Sequence, residues 1–441
     1  MSKALRETES CYSLRRKKFL RLIRGEAALF VSAPEVTKSR DQHFPFQQNT
    51  DLIYLTGITE AEVALLLLGT NRGPRSVLYL RDRNPLEERW LGERLGLKRA
   101  KRMVRVDEVR NISQLPADLP QLLNGVQTFH FAPGVHPTYD ALVWGLFQSS
   151  IGPRYNSPHT LKDSRLITSE MRFVKERSEI QALKHAAEIT GKAMLLLAPR
   201  IREAANEVHA ARLLESFFSK LGAHGCAFET IVASGRNATE LHHRPQLQPL
   251  WRRELVLIDA GATFRGYSGD VTRTLPASGK FSEPQAQVYD TVHSALVQGI
   301  AKVRPGATLE EIHETVTRSL IKGLLDLGIL KGNAGQLYSS GEFRRFYMHR
   351  TSHWLGLDVH DCAPVSFNAH AMPASLRPLV AGNVFTIEPG LYFDAKDETV
   401  PAAFRGIGVR LEDDILVTPT GREVISAVMP SSRTEIEALM S

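Results

Sequence analysis

Five short segments of this sequence each set an acid or a histidine at the end of an apolar run. In the first, Leu255 to Ile258 lead into Asp259, with Gly261 close behind. A buried strand that delivers a carboxylate to its end is costly unless the carboxylate is paired or metal-bound. Asp270 stands 11 residues later, ahead of Val271 to Thr274, with turn residues Arg265 and Gly266 between. A hairpin of that length can bring Asp259 and Asp270 side by side. Two carboxylates so placed raise each other's pKa unless a cation neutralises them. The third segment holds His349, His353 and His360, three histidines within 12 residues. The fourth runs from Val384 to Ile387 and ends in Glu388, ahead of Pro389, Gly390 and Tyr392. In the fifth, Arg410 and Glu412 share one strand face by the two-residue period.

Taken singly, each segment has a bland reading. A lone acid at a strand end is usually a turn-former, and a lone histidine is more often structural than a ligand. Neither reading accounts for five such segments in order, at spacings of 11, 83, 35 and 24 residues. Four carboxylates with one histidine form a hard, oxygen-rich donor set. That set favours Mn²⁺ or a similar first-row ion over structural zinc, which recruits cysteines. Four negative charges balance two dications, and a water bridging them is acidic enough to act as hydroxide near neutral pH.

These segments need elements to position them. Over the first ~170 residues, strand-length apolar runs at Ala27 to Val31, Val63 to Leu68, Val77 to Leu80 and Gln127 to Phe131 alternate with turns and helical stretches, one after Pro137. The pattern predicts a small α/β domain over residues 1–170. Ser149 to Thr168, rich in Ser, Pro, Gly and charge, is the best linker candidate. A second domain, residues 171–441, follows. It shows an internal echo. Helical periodicity runs from Phe173 to Ala198 and from Ala204 to Leu221, and again from Glu283 to Val303 and from Leu309 to Leu327 across the Pro305-Gly306 break. Strand-like runs follow each pair. Two similar α/β halves around a shared site explain this, though unrelated helical hairpins could look the same.

A chain of 441 residues is expected to form two domains, and 43% hydrophobic with 23% charged residues is a globular composition. No apolar run approaches the roughly 18 residues needed to span a bilayer, and the first ten residues do not resemble a secretory signal. Three scattered cysteines, Cys11, Cys226 and Cys362, suit a reducing cytoplasm. Much of the +7 net charge sits in Arg15, Arg16, Lys17, Lys18, Arg21 and Arg24. The sharp reading is a nucleic-acid or membrane patch. The favoured one is the solvated face of an amphipathic helix burying Phe19, Leu20 and Ile23, because no aromatic-interleaved basic motif follows. No nucleic-acid or membrane partner is therefore expected.

In this order the five segments resemble the pita-bread metallopeptidases, the family of methionine aminopeptidase, prolidase and aminopeptidase P, and most nearly its aminopeptidase P branch. The most specific stretch runs from Ser352 to Asp361, followed by Glu388 to Tyr392; Pro45 to Gly57 resembles the signature of that branch's N-terminal domain. The resemblance covers nearly the whole chain. It implies a creatinase/prolidase-type α/β N-terminal domain and a pita-bread catalytic domain of pseudo-twofold α/β halves. It implies that Asp259 and Asp270 ligate the first metal, Asp270 also bridging, that His353 and Glu388 hold the second, and that Glu412 bridges both. The implied nucleophile is a hydroxide between two divalent cations, Mn²⁺ by expectation, with Glu388 shuttling its proton.

On the same resemblance His242, His349 and His360 orient the scissile peptide and stabilise its tetrahedral intermediate, as imidazole N–H donors aimed at a developing oxyanion would. Arg410 fixes the carboxylate ligands from behind. Tyr392 and Trp90 lie near the proline pocket, Trp90 arriving across a subunit interface of a dimer or tetramer, although a packed aromatic is its plainer reading. The implied substrates are peptides with proline in second position, whose bond lacks an N–H and resists general peptidases. A prolidase-type dipeptidase and a non-catalytic binding module are the alternatives. Arg350 and His243 depart from the family pattern of glycine and tyrosine, and the expectation is that they alter the approach to the metals.

Overall fold

The computed structural model describes residues 3–70, 73–149, 158–251, 253–362 and 373–441. Residues 1–171 and 172–441 form two compact units.

In the first unit, α1 (Lys3–Leu22) precedes β1 (Ala27–Val31), and the apolar runs at Ala64–Leu68, Arg75–Leu80 and Thr128–Phe131 become β2, β3 and, after β4 (Glu108–Asn111), β5. The stretch after Pro137 is a helix, Pro137–Ser149. The sheet order is β4-β3-β2-β1-β5 with a sixth strand, β6 (Thr160–Lys162), at the edge. Every residue of β1 and β2 is buried, so these strands read as continuous apolar runs. The expected linker is corrected here. Residues 150–157 lie outside the described residues, but β6 pairs in parallel with β5 and a helix, Arg165–Phe173, follows. A three-residue edge strand is too short to show a period.

The basic N-terminal stretch folds largely as the amphipathic helix expected, with Phe19, Leu20 and Ile23 buried. Two of its cations differ from a solvated face. Arg15 and Arg16 are 3% and 2% exposed, and their guanidinium groups donate to the carbonyls of Tyr54, Leu55 and Arg105. Arginine meets such carbonyls with several fixed N–H groups while its stem packs in the core.

The second unit is two α/β halves of one pattern. A helix pair, α3 (Arg177–Leu197) and α4 (Glu207–Lys220), is followed by the antiparallel sheet of β7 (Ile231–Ser234), β8 (Leu255–Ala260) and β9 (Val271–Pro276). The helix α2 (Pro85–Leu91) belongs to the first unit. A second pair, α5 (Glu283–Lys302) and α6 (Leu309–Asp326), is followed by the sheet of β10 (Val384–Ile387), β13 (Asp413–Thr418) and β14 (Gly421–Val424). Between them β11 (Gly390–Tyr392) pairs with β12 (Gly408–Arg410). Local chemistry starts these helices. Ser282 with Gln285, and Thr308 with Glu311, form reciprocal capping boxes that satisfy the first orphan N–H groups. One apolar core joins both helix pairs and both sheets, including Leu214, Ile258, Leu296, Leu320 and Ile415. The predicted helix from Phe173 starts instead after Glu176, whose carboxylate caps α3 in a box with Glu179.

Candidate metal centre

Strands β8 and β9 pair antiparallel, with Asp259 opposite Thr272 and Ala260 opposite Val271. Past Ala260 the chain makes a short hairpin, Ala262–Phe264 with Tyr267–Ser268, closed by Arg265 (φ 52°) and Gly266 (φ 83°). Two positive φ values in succession are what a two-residue hairpin turn demands. A Cβ at Gly261 would strike the Gly269 carbonyl oxygen, so glycine alone lets the two chain passages cross there. Asp259 and Asp270 thus reach one end of the sheet. Glu412 joins them by an isolated bridge to Thr272, its N–H donating to the Thr272 carbonyl at 3.0 Å. Glu388 follows β10 directly. His353 is held beside β10 by the Thr386 N–H, which donates to its carbonyl at 2.9 Å.

The His353 Nε2 atom lies 3.3 Å from Asp270 Oδ2, 3.7 Å from Glu388 Oε1 and 3.8 Å from Glu412 Oε1. Its Nδ1 faces the Trp354 carbonyl at 3.1 Å, which fixes that nitrogen as the donor and leaves Nε2 as a lone-pair ligand. Ligand atoms of Asp270, His353 and Glu412 all lie within 4.8 Å of one another. Asp259 and Glu388 line the same cavity, about 420 Å³ in volume, with those three.

Repulsion in this cluster is severe. Asp270 and Glu388 titrate well above the usual carboxylate range, driven first by burial and then by the charge of Glu412. Glu412 is pushed up to about 7, by burial first and Asp259 next. Asp259 Oδ1, Asp270 Oδ1 and Glu412 Oε1 are buried without a hydrogen-bond partner. Orphaned carboxylate oxygens converging beside a histidine lone pair are the donor set of a divalent cation. The residues present fit such ions.

The second oxygens of Glu412 and Asp259 are tethered. Thr272 Oγ1 donates to Glu412 Oε2 at 2.7 Å, and the Arg410 guanidinium donates to Asp259 Oδ2 at 2.6 Å. Arg410 also donates to the Tyr392 hydroxyl at 3.2 Å, which lies 2.8 Å from His349 Nε2. Tyr392 is 2% exposed and stands beneath His349, outside the residues lining the cavity. Both nitrogens of His349 are engaged, Nδ1 with the Arg350 carbonyl, and burial then Arg410 lower its pKa to about 4. His242 and His360 line the cavity and make no hydrogen bond among the described residues. Trp90 lies in α2, in the first unit, with 89% exposure.

Several supports were missed from the sequence. Asp414 is fully buried and accepts the Asp270 N–H at 3.0 Å. Its two-residue offset from Glu412 was the available signal. The cavity wall also holds Val359, within the Ser352 to Asp361 stretch, and Phe228, Ile231 and Leu241, which no motif marks. Glu207 accepts from the backbone N–H groups of Ser234 and Gln246 and meets His243 Nε2 at 2.8 Å. His243 is therefore an anchor of the loop that presents His242.

Arg350 is a correction. Its guanidinium pairs with Glu310, it does not line the cavity, and its φ is not positive: the left-handed non-glycine residues among those described are Arg40, Glu62 and Arg265. Arg350→Gly is expected to change any activity of this cavity by less than about fivefold, a surface ion pair being worth under ~1 kcal/mol. A tenfold change would restore a role at the cavity.

A buried clamp holds the loop that carries His353 and His360. Asp361 Oδ2 meets Lys175 Nζ at 2.8 Å, and its Oδ1 meets Arg172 at 2.5 Å. Burial alone would raise the Asp361 pKa, but Lys175 and Arg172 outweigh it and hold the group below the usual range. Because the folded pKa is depressed, its stability contribution is present above the unfolded value of ~3.9 and lost as pH falls through the folded one. Asp361→Asn should therefore be less stable by about 3 kcal/mol at pH 7. In urea titrations the gap should close as pH drops below ~4. A gap independent of pH would remove the electrostatic explanation.

Known proteins match this architecture. Residues 181–419 match the model of metallopeptidase family M24, and residues 12–130 that of the aminopeptidase P N-terminal domain. The chain is 40% identical to the Xaa-Pro aminopeptidase of Escherichia coli (strain K12), over 94% of each chain. It is 37% identical to that of Haemophilus influenzae, over 97% of this chain and 96% of the relative. Among solved structures, E. coli aminopeptidase P with the inhibitor Pro-Leu superposes with TM-score 0.92 at 38% identity, covering 98% of both chains. Proline aminopeptidase P II from Yersinia pestis superposes with TM-score 0.92 at 37% identity, over 98% and 99%.

Proposed function

Because this chain belongs to metallopeptidase family M24, we propose that it is an Xaa-Pro aminopeptidase, releasing the first residue of peptides whose second residue is proline. The observation that carries this reading is that ligand atoms of Asp270, His353 and Glu412 lie within 4.8 Å of one another, in a cavity that Asp259 and Glu388 also line and where three carboxylate oxygens are orphaned. Asp259 and Asp270 would hold one divalent cation, His353 and Glu388 the other, with Asp270 and Glu412 shared. When bound, such a pair polarises the scissile carbonyl and renders water nucleophilic at neutral pH. The hard donor set favours Mn²⁺.

The chain's own groups do the rest. Glu388 takes the proton of the attacking water on Oε2, the oxygen turned from His353 toward His349, and returns it to the proline nitrogen as the bond breaks. His242 and His360, both unengaged, donate N–H groups to the oxygen that becomes negative. His349, neutral and locked by Tyr392, offers a ring face beside the scissile bond. Tyr392 acts on substrate through His349. Phe228, Leu241 and Val359 supply apolar wall for the proline ring.

The exposed Leu86, Trp90 and Leu91, with no buried residue in α2, form an apolar surface suited to self-association as a dimer or tetramer. None of the three cysteines is in a disulfide, and no described helix is long and apolar enough to cross a membrane. A cytoplasmic enzyme fits both.

The test is residue release by metal-stripped protein with and without Mn²⁺, on Xaa-Pro-Xaa tripeptides and Xaa-Pro dipeptides. Metal-dependent release from tripeptides is the expected result. Cleavage confined to dipeptides would make the enzyme prolidase-like, and no cleavage of either would refute the peptidase reading.

A further inference from the structure

A second cavity, about 580 Å³, lies within the first unit. Lys17, Arg21 and Arg24 line it from α1 and the turn behind it, as does Arg16, whose guanidinium is committed to the Leu55 and Arg105 carbonyls, and Arg105 joins from the segment before β4. One acid, Asp107, joins these five cations, and its Oδ2 is already committed to Ser76, accepting from both N and Oγ at 2.7 Å.

Two ordinary explanations cover only part of this. Cations near a helix C-terminus complement its dipole, which accounts for Arg21. A solvated helix face accounts for cations that radiate into water. Here Lys17 and Arg21, four residues apart, repel along one helix face, and Arg24 and Arg105 add to the same hollow. Lys17, Arg21 and Arg24 form no ion pair or hydrogen bond with any described residue. The volume is that of a small-molecule site, and a focused positive field in a concavity raises local anion concentration.

We propose that this cavity binds a small anion bearing several phosphate groups. The guanidinium forks of Arg21 and Arg24 match phosphate oxygens bidentately, and Lys17 adds a point charge. Gly25, with open space where a Cβ would stand, leaves the rim clear for close approach. The lining holds no aromatic ring on which nucleic-acid bases could stack, and the surface is concave, so an extended strand fits it poorly. This site is independent of the peptidase centre.

The test is calorimetric titration of the metal-loaded enzyme, at fixed ionic strength, with inorganic tripolyphosphate and with ATP. It is repeated on the Arg21→Ala/Arg24→Ala double variant, whose exposed substitutions should leave peptidase kcat unchanged. Phosphate binding at the metal centre would be common to both proteins and cancels in the comparison. Saturable binding that weakens at least tenfold in the variant is expected. Equal affinities for the two ligands would mark a polyphosphate site, and tighter ATP a nucleotide site. No binding, or binding equal in both proteins, would overturn the proposal. So would binding of a 12-mer oligonucleotide or of anionic phospholipid vesicles without binding of tripolyphosphate.

Discussion

Glu412→Gln is expected to lower kcat/KM by about 10³-fold, at ~1.36 kcal/mol per decade, while leaving the apoprotein folded. Glu412 sits at the crossing of the two half-domains, its Oε2 held by Thr272 and its Oε1 orphaned. Glutamine keeps the shape and the Thr272 contact but removes the charge that both cations would share. Bound metal, read by plasma mass spectrometry, should fall from two equivalents to one or fewer. The metal-free variant should be at least as stable as metal-free wild type, because neutralising Glu412 relieves repulsion on Asp270 and Glu388, which already titrate high through burial and its charge. Two retained equivalents with full activity would show that Glu412 is not a ligand.

The second large effect should come from Arg410→Met. Arg410 is 4% exposed and is the cation that the Asp259 carboxylate meets in this structure. Removing one partner of a buried pair leaves an uncompensated charge and costs about 3 kcal/mol or more. Added divalent cation should restore part of that loss by supplying charge on the other side of Asp259. The deficit in urea should therefore be larger without metal than with it. Activity should fall 10- to 100-fold, the usual penalty for losing a group that orients a metal ligand. Arg410→Lys should recover stability better than activity, since one ammonium cannot reach Asp259, Tyr392 and Thr272 together. A deficit identical with and without metal would sever Arg410 from the centre.

Much of the candidate site was legible because each expected ligand announces itself locally. Asp259 and Glu388 stand where buried strands end, and Glu412 stands between two short strands, β12 and β13. The Arg265-Gly266 turn sets the hairpin that brings Asp270 back. Histidine density marked the loop of His353. The paired helices were readable from period and breakers, and the capping boxes at Ser282 and Thr308 agree with them. Less legible were contacts between segments far apart in the chain. Arg172 and Lys175 lie over 180 residues from Asp361, and no local pattern links them. Arg350 looked like an intrusion because its chain neighbours approach the centre, yet its side chain turns to Glu310.

The amino-acid order by itself determined which atoms are available to hold cations and the sign of the charge that must be neutralised, because apolar runs and turn residues act over a few positions. Tertiary structure alone decided which oxygen of Asp259 and of Glu412 is tethered and which is left open, that Tyr392 hydrogen-bonds His349 and does not line the cavity, and that Arg105 joins the α1 cations around one hollow. Those outcomes depend on burial and on distances across hundreds of residues, which local periodicity does not encode.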